Sequence, residues 1–262
     1  MTIYRRAISL ENKPVPKTIM PQALFSQPGV IWDFSRKPLN MSFCHGDTAK
    51  ALDNRRIFLG GVGIDYRRLV CCQQIHSDNI RYIEDKDCGR GALSEEDSLP
   101  QTDGMLTDEP DVALAVFTAD CPSLFLYDPR RPAVGLVHAG WRGTKLGIAA
   151  KAVAMMCDRF KSRPLDLRAG FGPAIRKCCY EVGGEFSGFF GCGLSRNGNR
   201  YYLDLIGVNR EQLLGAGLRQ ESISDCGICT SCSRREFFSF RIEGDSCGRM
   251  MSVAMLRPAV RC

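Results

Sequence analysis

The feature that most restricts the fold is a series of short apolar runs between Val112 and Phe171, each stopped by turn residues. Val112 to Phe117 is continuously apolar and ends in Thr118-Ala119-Asp120-Cys121, the pattern of a buried strand running into a loop. Ser123 to Tyr127 reads as a second strand closed by Asp128-Pro129, and Ala133 to Val137 as a third closed by His138-Ala139-Gly140. Thr144 can cap a helix running to about Phe160, with Leu146, Ala149, Val153, Met156, Cys157 and Phe160 on one stripe. Leu165 to Phe171 is another strand, and Asp204 caps a second helix that ends near Gly217. Phe237 to Ile242 and Arg249 to Leu256 read as a hairpin turning through Glu243-Gly244-Asp245-Ser246. Strands interleaved with a few helices predict an α+β fold: an α/β sandwich in a single domain, with mixed β-sheets flanked by helices.

At 262 residues the chain can bury a sizeable core, and no repeat, low-complexity tract or Ser/Gly linker divides it. One domain spanning residues 1–262 is expected. The polar stretch from Glu84 to Asp103 reads as a loop excursion, and prolines at 14, 16, 21, 28 and 38 break up the N-terminal region. No apolar run approaches the ~20 residues that span a bilayer. The N-terminus lacks a hydrophobic stretch followed by a small-residue cleavage site, so a cytoplasmic protein is expected. Fourteen cysteines suit a disulfide framework only in a small secreted domain, and here most are expected to be reduced. The formal charge of +6 is scattered, without a basic stripe interleaved with aromatics. Nucleic acid and membrane are therefore not expected partners, and a monomer is expected.

Chemistry concentrates on few residues. The chain has three histidines, His45, His76 and His138. His76 and His138 each end an apolar run, and Cys121 ends the strand between them. If the strands starting at Val112 and Ala133 are neighbours, Cys121 and His138 emerge at one edge of a sheet, where loops carry reactive groups. Two imidazoles and one thiolate suit zinc, and three protein ligands leave a fourth position open, as in catalytic sites. The separations of 45 and 17 residues fit no short metal motif, so satisfied polar residues of a core remain the alternative.

Cys226, Cys229 and Cys232 form a C-x2-C-x2-C run that resembles iron–sulfur ligation, but Arg235-Glu236 stands where a fourth cysteine and proline belong. A second metal there stays open against plain packing. Cys71-Cys72 and Cys178-Cys179 are adjacent pairs whose side chains on a strand point to opposite faces, so neither is expected to act as a pair.

The segments QIHSDNI, TDGMLTD, FTADCPSLFLYDP, GLVHAGWRGT, GFGPAI, YYLDL and FFSFR occur in that order from about Ser42 onward. They resemble the laccase-domain family, also called the polyphenol oxidase or multi-specific purine nucleoside phosphorylase family; HAGWRGT together with ADCP is the specific part. The resemblance implies that His76, Cys121 and His138 bind zinc. It implies phosphorolysis of adenosine, inosine and methylthioadenosine with inorganic phosphate, and deamination of adenosine to inosine. A multicopper oxidase needs roughly ten histidines, so three argue against copper oxidation. Zinc-activated water suits deamination, and phosphorolysis needs an anion pocket beside an oxocarbenium-like sugar.

Arg142 is the candidate for anion binding, with a structural salt bridge as the alternative. Asp120 either orients a ligand, acts as a base or helps to pack the strand end. Asp103 reads as a turn residue, and His45 as a residue near the site that is not a ligand. The chain departs from the family at Phe25-Ser26-Gln27-Pro28-Gly29-Val30, which lacks the usual Arg before a Gly-Gly-Val-Ser type loop; altered substrate preference or weak phosphorolysis is the expected consequence. Two other functions compete. One is a thiol hydrolase with Cys121 as nucleophile and His138 as base, linked through the family to editing of peptidoglycan precursors. The other is a non-enzymatic metal-holding or redox-responsive protein drawing on Cys226 to Cys232.

Overall fold

The apolar runs become the strands of two sheets stacked face to face. The computed structural model describes residues 29–257. In chain order its elements are β1 (Val30–Phe34), α1 (Thr48–Val62), β2 (Leu69–Cys71), β3 (Ile80–Tyr82), β4 (Gly104–Thr107), β5 (Ala113–Thr118), β6 (Ser123–Asp128) and β7 (Ala133–His138). There follow α2 (Trp141–Lys145), α3 (Ile148–Phe160), β8 (Arg168–Phe171), β9 (Glu181–Val182), α4 (Ser187–Phe190), β10 (Leu194–Asn197) and β11 (Arg200–Leu203). The last are α5 (Leu205–Gly215), β12 (Ile223–Asp225), α6 (Phe240–Glu243) and β13 (Met250–Leu256). Strands β1-β13-β5-β2 make a four-stranded sheet, antiparallel except for β5 with β2. Strands β12-β8-β6-β7-β4-β3 make a six-stranded sheet, antiparallel in the middle and parallel at both edges. A small antiparallel sheet, β10-β11-β9, stands apart.

The two-residue period of the strands sorts their side chains into layers. Leu114 and Val116 of β5 meet Phe125 and Tyr127 of β6 and Val134 and Leu136 of β7 between the sheets. Ala113 and Ala115, one residue out of phase, face Phe58 and Leu59 of α1 instead. Beyond the six-stranded sheet, Leu124, Leu126 and Val137 meet Val153 and Met156 of α3 and Leu213 of α5. The order is helix, sheet, sheet, helix. Both sheets are covered on both faces, which is why β5 and β7 read as continuous apolar runs. This is the mixed α+β single domain that the sequence predicts.

Several expectations change. Strands β5 and β7 are not bonded neighbours: they belong to facing sheets, and their ends converge across the sandwich. The C-terminal hairpin does not form. Residues 240–243 turn into α6, and β13, buried along its whole length, takes the middle place between β1 and β5. The helix expected from Thr144 to Phe160 is two helices, broken at Gly147, whose φ of 82° is a left-handed conformation suited to glycine. Thr144 lies inside α2, its hydroxyl donating to the Ala139 carbonyl, and Leu146 of the predicted stripe is exposed. The strand expected from Leu165 begins only at Arg168, because Pro164–Asp166 form a 3-10 turn. Asp204 caps α5 as predicted, accepting from the Gly207 N–H at 2.9 Å. Cys71 and Cys72 do point to opposite faces, one under α1 and the other between the sheets.

The prolines at 14, 16, 21 and 28 and the stretch 25–28, where the family's arginine is missing, lie outside the described residues. Among the described residues no helix is long and apolar enough to cross a membrane.

Phe125 has no exposed surface and meets the Trp32 ring edge-on at 5.2 Å between the sheets. Phe125→Ala should therefore cost about 3–5 kcal/mol, read as a lower urea midpoint with an unchanged slope.

Candidate active site

The loops after β2 and β5 and the end of β7 converge on one cleft, and each delivers a donor. Ligand atoms of His76, Cys121 and His138 all lie within 4.8 Å of one another. The two imidazoles meet edge to face, with centroids 4.7 Å apart. Two residues here hold left-handed backbone that side chains rarely adopt, His76 with φ 60° and Asp120 with φ 88°.

Surrounding hydrogen bonds hold both turns. Asp103, fully buried at the entry to β4, accepts from the N–H groups of Ile75 at 3.2 Å, His76 at 3.0 Å and Ser77 at 2.7 Å. It also accepts from the Ser77 hydroxyl at 2.7 Å and bonds His138 Nδ1 at 2.8 Å. That last bond leaves Nε2 of His138 for the cleft. Gln74 pairs through its side chain with both backbone groups of Phe117, donating at 2.8 Å and accepting at 2.7 Å, so the His76 loop is tied to the end of β5. Asp120 accepts from the Thr230 hydroxyl at 2.6 Å and the Arg241 N–H at 2.7 Å, which fixes the turn just before Cys121.

The glycines of the HAGWRG segment make room. A Cβ at Gly140 would stand 2.6 Å from His76 Nδ1, and one at Gly143 would stand 2.5 Å from the Ser77 carbonyl oxygen. Any side chain at Gly140 would push His76 out of the cluster.

The two histidines titrate in opposite directions. Burial and the positive charge of the His138 imidazolium push His76 down to about 4. Burial also works to lower His138, but the Cys121 sulfur and the Asp103 carboxylate outweigh it and lift His138 to about 9. Burial opposes ionisation of Asp103, yet its bonds to His138 and Ser77 hold it below the ordinary carboxylate range. His76 Nδ1 is buried with no hydrogen-bond partner among the described residues. Such an atom asks for a ligand. The cluster of two nitrogens and one sulfur could hold a metal ion, and zinc and copper both accept that donor set.

The cluster opens into a cleft of about 530 Å³, within the size range of small-molecule sites. Asp120 and His45 line it, as do the aromatic side chains of Phe117, Trp141 and Tyr180. Arg142 is exposed on α2, stacked over the Trp141 ring at 5.2 Å, and does not line the cleft. The arginines that do are Arg241 and Arg249. Sequence reasoning missed both, along with Gln74 and the buried role of Asp103. The signals present were the glutamine two residues before His76 and the aspartate of TDGMLTD.

The cysteines also regroup. Cys178 and Cys179 lie in a turn closed by Arg176, not on a strand, so the two side chains face the same point. They gather with Cys229 and Cys232, all four sulfurs lying within 4.8 Å of one another. Cys226 stays outside this group, beside Arg176. Cys229 is therefore part of a thiol cluster and not simply packing.

Fold and site together define a two-sheet α+β sandwich with a mixed nitrogen–sulfur donor cluster at an open cleft. The chain belongs to the multi-copper polyphenol oxidoreductase laccase family, whose model matches residues 27–257. It is 36% identical over 224 residues to the purine nucleoside phosphorylase YlmD of Geobacillus stearothermophilus, covering 82% of each chain. The crystal structure of YlmD from that organism superposes with a TM-score of 0.85, covering 88% of this chain and 93% of the other. The adenosine deaminase RL5 of an unknown prokaryotic organism is 31% identical over 213 residues, covering 78% of this chain and 80% of its own.

Two outcomes test this geometry. Asp103→Asn should weaken metal binding about 10- to 100-fold, the usual effect of losing a carboxylate behind a ligating histidine, as measured by competition with a chromophoric chelator. His138 would also tie any metal uptake by this cluster to pH. Its imidazolium stabilises the metal-free fold fully below its ordinary 6.5, and that contribution is lost as pH rises through about 9. Over the same window a metal meets less proton competition, so affinity, corrected for the chelator's own protonation, should rise with pH and level off near 9. A flat profile there would contradict the assignment.

Proposed function

We propose that this chain is a zinc-dependent enzyme of purine nucleosides, which phosphorolyses adenosine, inosine and methylthioadenosine and deaminates adenosine to inosine. The observation that carries the reading is the convergence of His76, Cys121 and His138 at the floor of a cleft with aromatic and cationic walls. The phosphorylase and deaminase named among the relatives support the two reactions. A zinc ion held by these three residues would supply Lewis acidity and a water of lowered pKa.

The protein's own groups divide the remaining work. Asp103 fixes the His138 ring so that Nε2 faces the cleft. Arg241 and Arg249 line the cleft and offer charge to phosphate, with Arg249 anchored by its bonds to the Cys247 and Gly248 carbonyls. The faces of Trp141 and Tyr180 suit a purine base. His45, whose pKa burial and Arg249 both lower, stays neutral and can accept a hydrogen bond from a ribose or phosphate hydroxyl. Asp120 has both carboxylate oxygens engaged and acts as a positioning residue for Cys121. Arg142 adds positive potential from outside the cleft, which steers anions toward it.

One observation favours a second reading. Cys121, His138 and Asp103 form a thiol–imidazole–carboxylate chain, the arrangement of a cysteine hydrolase. That chain gives no role to His76, whose unpartnered nitrogen in the same cluster favours metal. Alkylation separates the two: a metal-bound Cys121 is protected until chelator is added, whereas a free nucleophile reacts at once.

The direct test is to supply purified, zinc-loaded protein with inosine or adenosine, with and without phosphate. Hypoxanthine or adenine released only with phosphate, and inosine formed from adenosine, is the expected result; nucleosides left untouched in every case would sink the reading. Arg249→Ala should raise the KM for phosphate about tenfold or more, some 1.4 kcal/mol of binding, while leaving deamination largely intact.

A further inference from the structure

Outside the cleft, the strongest unexplained feature is the gathering of Cys178, Cys179, Cys229 and Cys232. We propose that these four cysteines form a closed structural site for one zinc ion, separate from the His76–Cys121–His138 cluster.

The distances fit a single tetrahedral ion. Cys232 Sγ lies 3.7 Å from Cys178 Sγ and 3.4 Å from Cys179 Sγ, and all four sulfurs lie within 4.8 Å of one another. Zinc–sulfur bonds of about 2.3 Å in a tetrahedron put the sulfurs roughly 3.8 Å apart. A polynuclear iron–sulfur cluster holds its cysteines farther apart. A disulfide would bring a pair to about 2.0 Å, well inside the 3.4 Å and 3.7 Å separations here, and all four thiols are free.

The backbone prepares the site. Cys229 and Cys232 sit on a tight turn in which the Ser233 N–H donates to the Cys229 carbonyl at 2.9 Å. The N–H groups of Cys232 and Arg176 also hydrogen-bond the Cys229 sulfur. Cys178 and Cys179 share the turn closed by the Cys179 N–H on the Arg176 carbonyl at 2.8 Å. A parallel bridge between Ala174 and Cys229 joins the two segments. Zinc uptake by the four thiols releases their protons and forms four zinc–sulfur bonds, with no change of oxidation state. Lys177, Arg234 and Arg235 adjoin the four cysteines in sequence, while the Arg176 guanidinium is paired with Asp225 at 2.6 Å.

The location gives the ion a task. Segment 174–180 contributes Ile175 and Tyr180 to the cleft wall, and the Ile175 N–H donates to the Asp120 carbonyl at 2.8 Å. On the other segment, Thr230 donates to the Asp120 carboxylate. An ion clamping the two segments therefore braces the left-handed turn that presents Cys121.

The test isolates this site from the first. A His76→Ala/Cys121→Ala variant should keep one zinc per chain by elemental analysis after mild chelator treatment. Adding Cys179→Ser and Cys232→Ser should remove it. Should the quadruple variant fail to fold, cobalt decides in the double variant: an intense thiolate-to-cobalt charge-transfer band with tetrahedral ligand-field bands is the expected spectrum. A metal-free double variant whose thiol titration shows these cysteines reduced, or a Cys179–Cys232 disulfide in protein purified without oxygen and with zinc present, would overturn the proposal. Because the variant lacks two of the three cleft donors, the outcome is independent of whether the chain acts on nucleosides.

Discussion

A carboxylate without contact with solvent is tolerated only where hydrogen bonds replace its water. Asp103 meets that condition with the N–H groups of Ile75, His76 and Ser77, the Ser77 hydroxyl and His138 Nδ1. Its own backbone extends the connection, since the His138 N–H donates to the Asp103 carbonyl at 2.7 Å. One residue thereby joins the start of β4, the end of β7 and the loop that carries His76. The left-handed turn at His76 costs energy by itself, and the amides that turn exposes are those the carboxylate collects. Geometry and electrostatics of the cluster come from the same bonds.

Legibility from sequence followed how local each signal is. Strands β5, β6 and β7 announced themselves because a strand covered on both faces is apolar at every position. The cap of α5 was visible because Asp204 bonds an amide three residues on. The place of β13 was not visible, since apolar strands carry no label of partner and only the assembled sheet puts it between β1 and β5. Asp103 looked like a turn residue for the same reason: its partners sit 26 to 35 residues away. The three donors were recognised by residue chemistry and family resemblance, their wide separations being useless alone. The cysteine run from Cys226 misled because spacing within one segment says nothing about a second segment, Cys178-Cys179, folding against it.

The family's name speaks of many coppers, but copper-oxidase centres are rich in imidazole. This chain has three histidines, and His45 is outside the donor cluster. The cleft instead combines one three-donor cluster with arginines and flat aromatic faces, walls that offer positive charge beside ring-stacking surface. Asp120 links that wall to the four-thiol cluster through Ile175 and Thr230, so both cysteine segments are hydrogen-bonded to the residue just before Cys121.

Strand β13 sits where ribosomal synthesis makes it arrive late. A chain emerges N-terminus first, so β1 waits without a bonded neighbour and β5 with one open edge until residues 250–256 follow. His76, Cys121 and His138 are all out by then. The nascent chain thus displays the three donor groups of the cleft before the sandwich that arranges them can close, and the site's shape is settled only after translation has passed Leu256.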